Sequence, residues 1–119
     1  MRTRGSGVIL QISSGVGILA GQGAPIYAAS KFAVEGLSES MYEELKPLGI
    51  RVHIIEPGIF RTDFLKPTSE GKNVSTNREG YLDIGSMLKG MHGNQPGDPQ
   101  KGVVRIYEVV TGTGMAVGL

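Results

Sequence analysis

The chain has 119 residues, enough for one domain or part of one, and sets 12 lysines and arginines against 11 aspartates and glutamates. This balance, with no run of one sign, argues against nucleic-acid binding through a basic patch. There is no cysteine, which excludes disulfide frameworks and thiolate metal sites. The apolar run at 8–10 is too short for a signal core or a membrane span, so the chain reads as soluble and cytoplasmic.

The first element predicted is a strand at 7–13, where Val8, Ile9, Leu10 and Ile12 form a short apolar run that ends at Ser13, Ser14 and Gly15. A glycine-punctuated loop follows. Residues 28–45 read as a helix, with Ala33, Leu37, Met41 and Leu45 spaced by four along one face and Pro47 and Gly49 as stop signals. Val52, Ile54 and Ile55 mark a second strand at 51–56, closed by Pro57 and Gly58. Strand, helix and strand make one right-handed βαβ unit.

Beyond Ile59 the pattern weakens. Residues 66–80 are polar, whereas Leu82, Ile84, Met87, Leu88 and Met91 give 81–91 a short amphipathic helix. Asp98 and Pro99 are a helix start signal, Val103, Ile106, Tyr107 and Val110 form the apolar face of that last helix, and Gly112 ends it. The glycines at 111–118 imitate a nucleotide-binding loop. They follow a helix instead of opening one, and Val117 stands where that fingerprint needs glycine.

Tyr27 and Lys31 lie four residues apart at the start of the long helix, which puts a phenol and an ammonium on one face, one turn apart. A cation beside a phenol favours its ionised form, so such a tyrosine can serve as proton donor and acceptor. On spacing alone, a solvated helix face is the better explanation of the pair. His53, in an apolar strand, and His92, among glycines, have no partner at metal spacing, so no metal site is expected.

Context decides between these readings. Tyr27 and Lys31 stand in Pro25-Ile26-Tyr27-Ala28-Ala29-Ser30-Lys31-Phe32-Ala33-Val34, with the Ser13-Ser14-Gly15 strand end upstream and Ser14 thirteen residues before Tyr27. Gly49-Ile50-Arg51-Val52 and Ile55-Glu56-Pro57-Gly58-Ile59-Phe60-Arg61-Thr62 continue the pattern. Over about residues 5 to 65 the chain closely resembles the short-chain dehydrogenase/reductase family.

The resemblance implies an α/β fold, part of a Rossmann-like doubly wound parallel sheet, with the two strands corresponding to the family's fifth and sixth. It implies an oxidoreductase that interconverts an alcohol and a carbonyl with NAD or NADP. Ser14, Tyr27 and Lys31 would be the catalytic residues, and Tyr27, Lys31, Pro57, Gly58, Ile59 and Thr62 the cofactor contacts. In that role Tyr27 exchanges the proton, Lys31 supports it and holds the nicotinamide ribose, Ser14 bonds the carbonyl, the Ile59 backbone faces the carboxamide and Thr62 lies near the pyrophosphate. A segment at about 59–98 would cover a small-molecule substrate, with Phe60, Phe64, Leu65, Leu82 and Met87 suggesting an apolar pocket, ordinary packing being the alternative. Association between copies would use the helix at 28–46.

The family's glycine-rich turn after its first strand has no counterpart in the sequence, so the domain at 1–119 is expected to be incomplete and to turn over weakly by itself. An unpaired apolar edge on the first strand is expected to lower its solubility. The alternative expectation, from a different class, is a non-catalytic product that binds a partner subunit.

Overall fold

The structure, a computed structural model, describes residues 1–66, 80 and 84–114. Its centre is the pair β1 (Gly7–Ile12) and β2 (Ile50–Ile55), joined by the long helix α1 (Pro25–Leu45). The strands run parallel, with Gly7 opposite Ile50 and Ile12 opposite Ile55. β-Branched residues dominate β2, and a parallel pair needs the long crossover that α1 supplies. Two further helices follow, α2 (Ile84–Met91) and α3 (Pro99–Thr111). The chain is thus α/β, and each expected element within the described residues is present. Leu82, Val117 and the polar stretch at 67–79 lie outside those residues.

The ends of the helices follow their sequence signals. Pro25 opens α1, where a missing N–H costs nothing. Asp98 caps α3 by accepting from the Gln100 N–H at 2.9 Å and the Lys101 N–H at 3.4 Å, and Gly112 closes it in the left-handed conformation at φ 66°. The turn between α1 and β2 also ends on a left-handed glycine, Gly49, at φ 69°.

The face of α1 that packs differs from the expected one. Ala28 and Ser38 are buried, with Lys31, Val34, Glu35, Met41 and Leu45 half-buried around them, whereas Ala33 is exposed and Leu37 is 56 % exposed. Ser38 can go inside because its hydroxyl donates to the Val34 carbonyl at 2.6 Å, within the same helix, so burial leaves its proton bonded. Against this face lie Ile50 and Val52, which with Ala28 form the buried apolar centre among the described residues. That centre is small, and the ladder and turns therefore matter to stability.

Arg51 extends from β2 to the far end of α3, where its guanidinium donates to the Val110 carbonyl at 2.8 Å. Of the two readings of Phe60, pocket lining or ordinary packing, the ring packs: it lies over Gly97 and Gly102, where a Cβ would stand 2.9 Å and 2.7 Å from it, and joins the loop after β2 to α3.

Gly49→Ala is expected to destabilise the chain by roughly 1–3 kcal/mol, because it combines a left-handed backbone with a Cβ that would strike the Gly5 carbonyl. Gly36→Ala, in an exposed part of α1 with open space at its Cβ position, is expected to be neutral or to stabilise by up to about 1 kcal/mol. Urea denaturation of both variants checks the contrast.

His53 adds a pH dependence. Its Nε2 is buried without a partner among the described residues, and its pKa is held below the ordinary 6.5 first by desolvation and then by the positive Arg51. The unfolded chain then binds this proton more readily than the folded one. The contribution of neutral His53 to stability is complete above about pH 6.5 and is lost as pH falls from there towards the folded-state value. His53→Gln should lose less stability than the wild type between about pH 7.5 and pH 5.5, as read by denaturant midpoints.

Candidate active site

The candidate residues gather where the strands end. The ladder continues one residue past β1, with the Ser13 N–H donating to the Ile55 carbonyl at 2.8 Å. The chain then turns through a 3-10 segment, Gly15–Gly17, for which Ser14 is the cap. Ser14 is extended at φ −169°, and its Oγ accepts from the Val16 N–H at 3.4 Å. That use occupies a lone pair and leaves the hydroxyl proton free to donate outward.

Gly17 lies close-packed under this turn. A Cβ there would lie 2.7 Å from the Ser13 Oγ and 2.9 Å from the Glu35 Oε1, so the turn rests directly on the two side chains. Both atoms are buried without a protein partner among the described residues. Ser13 and Glu35 were not singled out in the sequence, because neither carries a motif beyond the family pattern.

Tyr27 and Lys31 occupy the first turns of α1. The Lys31 ammonium donates to the Ile12 carbonyl at 2.8 Å, tying the helix to the last residue of β1. From there it stands 5.6 Å from the centroid of the Tyr27 ring. The one-turn spacing read in the sequence therefore brings cation and phenol together, and the strand end fixes the cation's position. An ammonium has three donors, and two remain after the bond to Ile12. Tyr27 is 37 % exposed, and its hydroxyl has no partner among the described residues.

Pro57, Gly58 and Ile59 follow β2 at the same end of the sheet. A Cβ on Gly58 would meet nothing within 4 Å, so this backbone is open to a close-fitting ligand. Neither the Gly58 nor the Ile59 N–H has a partner among the described residues, whereas the Ile59 carbonyl accepts from the Gly97 N–H at 3.0 Å. Thr62 caps the short turn Asp63–Leu65, its hydroxyl oxygen accepting from the Phe64 N–H at 3.3 Å. The turn delivers Phe64 to Tyr27, with ring centroids 6.3 Å apart and planes at 43°. Phe64 remains 75 % exposed, and Met87 on α2 is also exposed.

The arrangement offers hydroxyl donors on Ser14 and Tyr27, a fixed ammonium and a stretch of open backbone at the carboxyl ends of two parallel strands. Open α/β sheets bind their ligands at such ends. Among the described residues, no cluster of histidine, cysteine, aspartate or glutamate could hold a metal ion, and no helix is long and apolar enough to cross a membrane.

Comparison with known proteins identifies the family. A family model described as short chain dehydrogenase matches residues 1–73. An uncharacterized oxidoreductase of Bacillus subtilis, YusZ, is 33% identical over 116 residues, 93% of this chain and 41% of that protein. A 3alpha-hydroxysteroid dehydrogenase of Mediterraneibacter gnavus is 46% identical over 70 residues, 59% of this chain and 28% of its own length. Among solved structures, a short-chain dehydrogenase from Streptomyces avermitilis superposes with a TM-score of 0.72 at 39% identity, covering 90% of this chain and 39% of that one. The chain thus spans about two-fifths of the length of these relatives, the hydroxysteroid enzyme excepted, where it spans less.

Proposed function

The chain belongs to the short-chain dehydrogenase family, and from that premise we propose that it supplies the proton-transfer end of a site where an alcohol and a carbonyl are interconverted with NAD or NADP. The observation that carries the reading is the Lys31 ammonium, bonded to the Ile12 carbonyl at 2.8 Å and held 5.6 Å from the Tyr27 ring.

The residues at this end of the sheet suit a nicotinamide nucleotide. The two remaining Lys31 donors match ribose hydroxyls, and the free Gly58 and Ile59 N–H groups match the acceptor of a carboxamide. The Thr62 hydroxyl can still donate to a phosphate oxygen. The bound nucleotide supplies or accepts the hydride.

The chain's own residues handle the oxygen. In reduction, the Tyr27 hydroxyl gives its proton to the carbonyl oxygen as the carbon receives hydride; in oxidation, the Tyr27 phenolate takes the alcohol proton as the carbon gives up hydride. Lys31 stabilises the phenolate that this transfer leaves, a cation close to a developing anion. Ser14 donates its free hydroxyl proton to the same substrate oxygen, so two donors meet the charge where it appears. The exposed Phe64, Ile59 and Met87 side chains favour an apolar substrate skeleton around that oxygen, and the relative that acts on a hydroxysteroid is one example of such chemistry.

A second reading rests on α1, whose outward side exposes Ile26, Phe32 and Leu37. It assigns the helix at 28–46 to association, with another copy or with a partner subunit, and needs no chemistry at Tyr27.

Single-turnover mixing of excess chain with NADH or NADPH and an apolar ketone makes even a slow rate visible. Tyr27→Phe should lower hydride transfer by roughly 10²–10⁴-fold, the range of general acid catalysis. An unchanged rate in the variant would leave the second reading in possession of the protein.

A further inference from the structure

Gln95 is 1 % exposed and lies between α2 and α3, in a stretch with no regular structure around it. Glutamine is seldom fully buried, and its burial is costly unless its amide is bonded; here the nitrogen is bonded, while the buried Oε1 has no partner among the described residues. Its Nε2 donates to the Thr62 carbonyl at 3.3 Å, across 33 residues of chain, and its own backbone carbonyl accepts from the Arg61 guanidinium at 3.2 Å. The facing carbonyl fixes which end of the amide is nitrogen, since a flipped amide would set oxygen against oxygen. Two residues on, the Gly97 N–H donates to Ile59 and the Gly97 carbonyl accepts from the Arg61 N–H at 2.8 Å, so Phe60 and Gly97 form a parallel bridge.

We propose that Gln95 is a positioning residue for the cofactor loop, holding the Thr62 backbone so that the Thr62 hydroxyl and the aromatic wall beside Tyr27 keep their places. The physical connection runs through named contacts. Gln95 holds the Thr62 carbonyl, the Thr62 hydroxyl caps the Phe64 N–H at 3.3 Å, and the Phe64 ring stands 6.3 Å from that of Tyr27. The segment that enters α3 and the loop that follows β2 consequently act as one unit. The functional part of this inference rests on the reading of Thr62 as a cofactor contact; the mechanical part does not.

The test is amide hydrogen exchange on the full chain by NMR, comparing the wild type with Gln95→Met and Gln95→Glu. Methionine keeps the length and volume but cannot donate. Protection at Arg61, Gly97 and Phe64 should fall by roughly threefold to tenfold in Gln95→Met, the factor one net hydrogen bond supports, with Ser13 on the strand ladder unchanged. In Gln95→Glu only a protonated carboxyl can donate to Thr62, so protection corrected for intrinsic exchange should be regained as pH falls, a dependence absent from the wild type and from Gln95→Met. Full protection in Gln95→Met would reduce Gln95 to a space-filler and overturn the inference. An equal loss at Ser13 would also overturn it, by showing general destabilisation. A parallel NADH titration separates the two readings: intact protection without nucleotide binding in the wild type refutes the role of Thr62 and leaves the clamp standing.

Discussion

The parallel pairing of β1 with β2 sets everything else in place. Its register puts Ile12 beside Ile55, and the next bond, from Ser13 to the Ile55 carbonyl, carries the pairing to the point where both chains leave the sheet. Ser14 on one side and Pro57 and Gly58 on the other therefore start from adjacent positions. A slip of one residue would turn every side chain of β2 to the opposite face and take Ile50 and Val52 away from α1. The small buried centre makes this constraint strict, because little other apolar contact exists to compensate.

From that base the helix adds the reactive pair. Lys31 reaches back to the carbonyl of the last β1 residue, so strand and helix share one polar contact at the place where the chemistry is proposed. The same ammonium stands beside the Tyr27 ring, which Phe64 approaches from the loop after β2. The end of β1 and the loop after β2 are thus both linked to the first turns of α1, one through Lys31 and the other through the Tyr27 ring. Each is held by a local device, the cap at Ser14, the proline at the start of α1 and the cap at Thr62.

Much of this was legible in the sequence, and the parts that were not share a physical cause. β-Branched runs, the Asp98-Pro99 start and the glycines at 49 and 112 are local signals, and the strands, helices and caps they announce lie where expected, to within three residues. The family signature points to Ser14, Tyr27, Lys31 and the Pro57-Gly58 turn, and the fold brings those segments to one end of the sheet. The packed face of α1 was misread because apolar spacing favoured Ala33 and Leu37, whereas Ser38 bonds its own helix and can be buried at little cost. For Phe60 the sequence leaves pocket lining and ordinary packing both open, because nothing local reveals the two distant glycines that make room for its ring. Gln95 carried no signal, since its partner lies 33 residues away and its role depends on a backbone carbonyl that any residue would present.

The most direct test of the account maps nicotinamide nucleotide binding residue by residue. Titrating NADH into the isotopically labelled chain and following backbone and side-chain resonances should give saturable shifts at Ser14, Tyr27 and Lys31 and along 58–62. The outward side of α1, at Phe32 and Leu37, should stay still. Shifts confined to that outward side, or none at saturating nucleotide, would contradict the claim that these segments form a cofactor site.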